Sequence, residues 1–138
     1  MNKPRTLENA YLITKKLITP FLNKYSNGSL FQKIMIGGEK ITKKPVFDCK
    51  MCGQCILHST GMVCPMGCPK ELRNGPCGGV RQNNSCEIKP EMKCVWVRAW
   101  ENSKQLKVYK DAILEIQPPV DRSLQGTSSW INEFIKEK

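Results

Sequence analysis

Phe47-Asp48-Cys49-Lys50-Met51-Cys52-Gly53-Gln54-Cys55 sets three thiols at intervals of three residues. Five more follow, at Cys64, Cys68, Cys77, Cys86 and Cys94, giving the spacing C-x2-C-x2-C-x8-C-x3-C-x8-C-x8-C-x7-C. Three thiolates in so short a run can wrap one side of a compact inorganic cluster. A C-x2-C-x2-C run followed by Cys-Pro is the pattern of ferredoxin-type [4Fe–4S] binding. Here Cys64-Pro65 and Cys68-Pro69 both supply Cys-Pro, although the gap from Cys55 to Cys64 is longer than the ferredoxin gap. Gly53, Gly61, Gly67, Gly75, Gly78 and Gly79 let the backbone come close and aim N–H groups at sulfur. Eight cysteines match two clusters of four thiolates each.

Zinc is the rival. Four-cysteine zinc sites use C-x2-C pairs separated by a longer loop, which a triplet suits less well. One [4Fe–4S] cluster plus one zinc ion uses the same eight ligands, so that alternative stays open. Buried structural cysteines do not account for eight within 46 residues. His58 is the sole histidine and lies inside the cysteine segment. It is a possible ninth ligand, but with eight thiols available a hydrogen-bonding role suffices.

Metal rather than disulfide also follows from the compartment. The apolar stretch from Tyr11 to Leu22 is broken by Lys15, Lys16 and Pro20, short of the roughly 20 apolar residues a membrane span needs. It lacks the uninterrupted core and cleavage site of a signal peptide. The expected location is the reducing cytoplasm, where structural disulfides are rare. At 138 residues and 40% apolar content the chain is lean for a self-sufficient core, and a metal site would supply folding energy.

The pattern predicts a small fold of helices and irregular loops around metal. Residues 1–44 read as a basic helical arm, 45–100 as a cysteine-rich domain and 101–138 as a tail with a short helix. Leu7, Tyr11, Leu12, Ile18, Phe21 and Leu22 recur at helical spacing, which predicts an amphipathic helix from about Thr6 to Lys24, capped by Thr6 and kinked or divided at Pro20. Asn27-Gly28 and Gly37-Gly38 read as punctuation in a connector. Residues 47–94 have little periodicity and read as loops. A second helix is predicted from Pro90 to about Leu106, with Val95, Trp96, Ala99 and Trp100 on its apolar side. Residues 108–116 fit helix or strand equally. Gln117-Pro118-Pro119-Val120 is a stop. Gly126 to Trp130 reads as a turn and cap, before a last helix with Trp130, Ile131, Phe134 and Ile135 on its apolar side.

Net charge is +10, and the first 44 residues hold +7 of it: nine Lys/Arg against Glu8 and Glu39. Such a front could meet an acidic protein, an acidic cofactor tail or nucleic acid, although a solvated lysine-rich face explains it as simply. The basic residues are not interleaved with aromatics in the cysteine region and zinc-finger spacing is missing, which speaks against nucleic acid. No G-x-x-x-x-G-K-[ST], G-x-G-x-x-G or G-x-S-x-G run occurs. No cysteine stands apart as a nucleophile and no carboxylate pair is marked out. The residues point to electron transfer or to metal-stabilised binding, without a complete active site.

The run from Phe47 through Cys55, with Cys64-Pro65-Met66-Gly67-Cys68-Pro69-Lys70 and Arg73-Asn74-Gly75-Pro76-Cys77-Gly78-Gly79, resembles the cysteine-rich methylenetetrahydrofolate reductase C-terminal family. The resemblance is strong over residues 43–100 and extends to Gly126-Thr127-Ser128-Ser129-Trp130-Ile131-Asn132. Members include the small iron–sulfur subunit of two-subunit methylenetetrahydrofolate reductases. The resemblance implies that Cys49, Cys52, Cys55, Cys64, Cys68, Cys77 and Cys86 are metal ligands, with Cys94 carried over less firmly. It also implies a partner: a catalytic subunit bearing FMN or FAD on a (β/α)8 barrel. Such a barrel needs about 250 residues and cannot lie in this chain. An acidic ferredoxin is a further candidate partner for the basic front. The competing expectation is a structural zinc module that stabilises or recruits a folate enzyme.

Overall fold

The computed structural model describes residues 3–25 and 28–136. Its helices are α1 (Lys3–Tyr25), α2 (Ser29–Phe47), α3 (Val95–Ser103) and α4 (Ser129–Lys136). Short 3-10 turns stand at Leu57–Thr60, Pro65–Gly67, Ala112–Leu114 and Arg122–Leu124. Among the described residues there is no strand, only an isolated antiparallel bridge between Ser85 and Lys93. The chain forms two compact units. One holds Met1–Glu8 and Ile56–Pro119, the other Asn9–Cys55 and Val120–Lys138.

The helix predicted over residues 6–24 is α1. It starts earlier, so Thr6 lies inside it rather than capping it, and it runs through Pro20. The hydrogen bond that Pro20 cannot make costs helix energy. One residue before it, the Thr19 hydroxyl donates back to the Lys15 carbonyl at 2.6 Å. Leu22 is fully buried, but Phe21, assigned to the same apolar face, is exposed.

The larger departure is α2. Gly37 and Gly38 do not interrupt the chain; they lie in the middle of a 19-residue helix. Gly28 is the N-cap residue, and Asn27 lies outside the described residues. Two glycines cost a helix about 1 kcal/mol each relative to alanine, and here tertiary contacts override that penalty. Those contacts are polar: its buried residues are Glu39 and Lys43. The helix stops where Asp48 turns left-handed, at φ 49.

In the first unit, α3 starts at Val95 rather than at Pro90, because the residues before it are held in turns and in the Ser85–Lys93 bridge. Val95, Trp96 and Ala99 pack with Val63 and Cys94 into an apolar cluster, flanked by Cys68, Leu72, Val80, Met92, Val97 and Ile113. The Trp96 indole donates to the Leu72 carbonyl at 3.2 Å. Trp96 thus belongs to the chain's own core, whereas Trp100 is half exposed. Residues 108–116 form neither a regular helix nor a strand, only the Ala112–Leu114 turn. Gly61, at φ 60, sits so tightly that a Cβ would strike the Ala99 carbonyl and the Ser103 amide. Glycine is required there both by the left-handed backbone and by α3.

Glu8 is fully buried in this unit. Its carboxylate accepts from the backbone amides of Lys107, Val108 and Tyr109 at 2.8–2.9 Å. Burial pushes its carboxyl up, but the three amides and Arg5 outweigh it and hold Glu8 below the ordinary value of 4.5. Its stabilising effect is therefore complete above pH 4.5 and lost as pH falls through the lowered folded value.

In the second unit, Phe134 of α4 is buried, edge-on to Tyr11 with ring centroids 6.2 Å apart and with Lys15 5.5 Å above its ring. The Tyr11 hydroxyl donates to Glu133. The predicted last helix is α4, and Ser128 serves its first turn by accepting from the Ile131 amide at 3.3 Å. Trp130 and Ile131 are half-buried, and the Ile135 side chain lies outside the described residues.

Glu8→Gln is expected to cost about 2–3 kcal/mol near neutrality, because hydrogen bonds to an ionised group are worth roughly 1.5–3 kcal/mol each and a neutral amide replaces only part of them. Urea unfolding of wild type and variant should show the gap closing in acid. A gap that stays constant with pH would rule out the carboxylate as its source.

Candidate metal centre

None of the eight cysteines is in a disulfide. Cys49, Cys52 and Cys55 belong to the second unit; Cys64, Cys68, Cys77, Cys86 and Cys94 belong to the first.

The triplet follows α2 directly, on a backbone that curls. Asp48, Met51 and Gly53 all have positive φ, at 49, 52 and 73. A left-handed methionine is uncommon and costs of order 1–3 kcal/mol. That conformation brings the Met51 amide round to donate to Cys49 Sγ at 3.4 Å. Gly53 cannot be replaced without strain, since a Cβ there would collide with the Leu124 carbonyl and the Thr127 hydroxyl. Segment 121–132 holds the loop from outside. Gly126 N–H donates to the Met51 carbonyl at 2.8 Å, the Gln125 amide to the Lys50 carbonyl at 2.8 Å, and the Asn132 amide to the Gly53 carbonyl at 2.9 Å. The Gln54 side chain accepts in turn from Asp121 N–H at 2.7 Å. These clamps take the carbonyls of Lys50, Met51 and Gly53, while the Cys52 thiol donates to the Gln54 carbonyl at 3.5 Å.

A buried cation accompanies the triplet. Lys43 is 4% exposed. Its ammonium donates to Glu39 at 3.2 Å and to the Ser129 hydroxyl at 2.8 Å, and lies 4.7 Å from the Trp130 ring centre. Burial alone would lower its pKa; Cys55 and Glu39, with Cys49 further off, reverse the balance and raise it. Burial pushes the Cys49 thiol up, while the Met51 amide and Lys43 pull against it.

In the first unit, Cys68, Cys77, Cys86 and Cys94 line one small cavity with Lys70, Glu87, Met92 and Trp96. Local hydrogen bonds explain how residues so far apart in sequence arrive there. Cys86 N–H donates to the Met92 carbonyl and Cys94 N–H to the Asn84 carbonyl, both at 2.8 Å, on either side of the Ser85–Lys93 bridge. Cys68 N–H closes the Pro65–Gly67 turn on the Pro65 carbonyl at 3.0 Å. Cys77 Sγ lies 3.6 Å from a Glu87 oxygen that is ion-paired to Lys70. Cys86 and Cys94 are buried, Cys68 and Cys77 half-buried.

Among the described residues, no three His, Cys, Asp or Glu side chains converge tightly enough to hold an ion. The four thiols share a cavity wall rather than a point. The donor set nevertheless suits a thiolate-bound centre: four cysteines line one cavity, and the triplet carries an amide donor on sulfur. Cys64 is not among the residues lining that cavity. His58 is half-buried with its ring 5.2 Å from that of Tyr109. Sequence reasoning missed Lys43, Glu39 and the clamping role of Gln125 and Asn132. A helix assignment for residues 29–47 would have paired Glu39 with Lys43 at i, i+4.

Residues 29–123 match the protein family described as methylene-tetrahydrofolate reductase C terminal. The searches of curated proteins and of solved structures give no match.

The shared cavity predicts that its thiols act as a unit. Cys77→Ser and Cys94→Ser should each lower the metal content of the purified chain by the same amount, and the double variant by no more. Cys52→Ser should remove a separate portion, additive with either. Elemental analysis per chain checks this, and additive losses for Cys77 and Cys94 would separate them.

Proposed function

The chain belongs to the methylene-tetrahydrofolate reductase C-terminal family, and we propose that it is the metal-bearing electron-transfer subunit of such a reductase. Its flavin and folate would sit on a separate catalytic subunit. The observation that carries the reading is the arrangement of seven of the eight cysteines, none of them in a disulfide, in two structured groups, a clamped triplet and a four-cysteine cavity.

Bound to these thiols, [4Fe–4S] clusters would supply one-electron transfer to and from the partner's flavin. The chain's own residues do the rest. Cys49, Cys52 and Cys55 form one donor group, and Cys68, Cys77, Cys86 and Cys94 the other. Met51 N–H steadies the sulfur of Cys49, and hydrogen bonds to cluster sulfur are a lever on potential. Lys43 sets a buried positive charge near the triplet. Its Glu39 partner is met by the Ser129 and Trp130 amides at 3.0 and 2.7 Å, so the cation is not left to neutralise Glu39 alone. Free thiols of this kind belong in a reducing compartment. No helix among the described residues is long and apolar enough to cross a membrane.

One observation favours a mixed-metal variant. The two donor groups differ in kind: a tight triplet on a left-handed backbone, and four thiols around a small cavity with Cys86 and Cys94 on either side of a bridge. A single zinc ion in the second group and a [4Fe–4S] cluster at the first would use these same seven sulfurs.

Iron, zinc and acid-labile sulfide per chain, on protein purified without oxygen, test the proposal. About eight iron and eight sulfide support two clusters, and about four of each with one zinc support the mixed site. Zinc without sulfide would replace electron transfer by a structural role.

A further inference from the structure

We infer that the outer face of α2 is the docking seam for the catalytic subunit, and that it takes an apolar ridge flanked by acidic side chains. The inference rests on the proposal that such a subunit exists, and adds where and by what chemistry it binds.

Leu30, Ile34, Gly37 and Ile41 follow one another at steps of four, three and four. At 3.6 residues per turn they fall within about 60° of one another around the helix. This is the seam spacing of a helix that packs against another helix. The three large side chains are 74%, 61% and 77% exposed, although a globular chain ordinarily buries such a stripe. The chain's own packing uses the opposite face, where Glu39 and Lys43 are buried.

Gly37 supports the same assignment. A Cβ added there would meet nothing within 4 Å, so the chain's own fold does not require the glycine. Its helix penalty needs another reason, and close approach of a second backbone is what a glycine in a seam allows.

Charge selects the occupant. Lys33, Lys40 and Lys44 are exposed and form a row along one side of the seam. A second copy of this chain would bring its own lysine row and a net +10 against it. A lipid surface calls for a broad apolar face with lysines on the opposite one, whereas here the lysines border a narrow seam and the opposite face is packed. An acidic-flanked apolar ridge satisfies both components.

The test uses the full chain co-expressed with the reductase catalytic subunit of the same organism. Ile34→Asp with Ile41→Asp should weaken the complex at least tenfold, read by co-elution and calorimetry, with the chain's metal content and helix signal unchanged. Ile116→Asp, at a still more exposed apolar residue of the first unit, should not. Lys40→Glu should weaken it by less, and more at low salt than at high. If the double variant misfolds, Lys40→Glu and Ile34→Ser carry the same comparison. Wild-type chain that binds the subunit and double variant that binds equally well would overturn the seam alone. Wild-type chain with no affinity for the subunit would overturn the partner proposal and the seam with it. Self-association, or binding to anionic phospholipid vesicles, that the double variant abolishes would give the seam to a different occupant and overturn it too.

Discussion

A carboxylate taken out of water must be met by donors, and this constraint organises both units. Glu39 is 1% exposed. Its oxygens accept from the Ser129 and Trp130 amides, the Ser129 hydroxyl and the Lys43 ammonium. Removing a buried charge's partner costs about 3–5 kcal/mol, so α2 and the start of α4 are held together by a penalty as much as by an attraction. Glu8 does the same in the other unit, on three consecutive amides that no regular element would otherwise satisfy. Both glutamates cap backbone that lies about 90–100 residues away in sequence. They give long-range order to a chain whose apolar core is small.

That order is what allows the cysteine segment to be irregular. Loops rich in glycine and proline cannot fix their own shape through ladders of backbone hydrogen bonds. Here side chains and neighbouring turns do it. Gln125, Asn132 and Gly126 N–H take the carbonyls of the triplet loop, while the Ser85–Lys93 bridge aligns Cys86 with Cys94. The strain at Met51 is tolerated because these contacts over-determine the loop. The thiols come to rest in defined groups although no strand and no long helix carries them.

Much of this was legible in the sequence; what was not lies in α2 and in the sorting of the thiols. The cysteine spacing, α1, the region of α3 and the last helix all announce themselves through periodicity or motif. α2 does not. Its glycine pair reads as a break, and its apolar residues point away from the chain's own core, so the rule that apolar periodicity marks buried faces misleads there. The residues it buries, Glu39 and Lys43, are those that pattern reading assigns to solvent. The sorting of thiols into groups was equally hidden. Spacing makes Cys64 and Cys68 look like one Cys-Pro pair, yet only Cys68 lines the four-cysteine cavity, because hydrogen bonds rather than sequence distance decide which cysteines line it.

The inversion in α2 also connects the site to its surroundings. Lys43 is turned inward beside the triplet, where Glu39 and Ser129 hold its ammonium. With Glu39 and Lys43 on the inner face, Leu30, Ile34 and Ile41 are left outward, where alone they would be a liability. A helix built this way is economical only if its outer face is covered. The buried charge beside the triplet and the exposed apolar seam are therefore two faces of one helix, and in the proposed complex a subunit docked on the seam would lie about one helix diameter from Lys43.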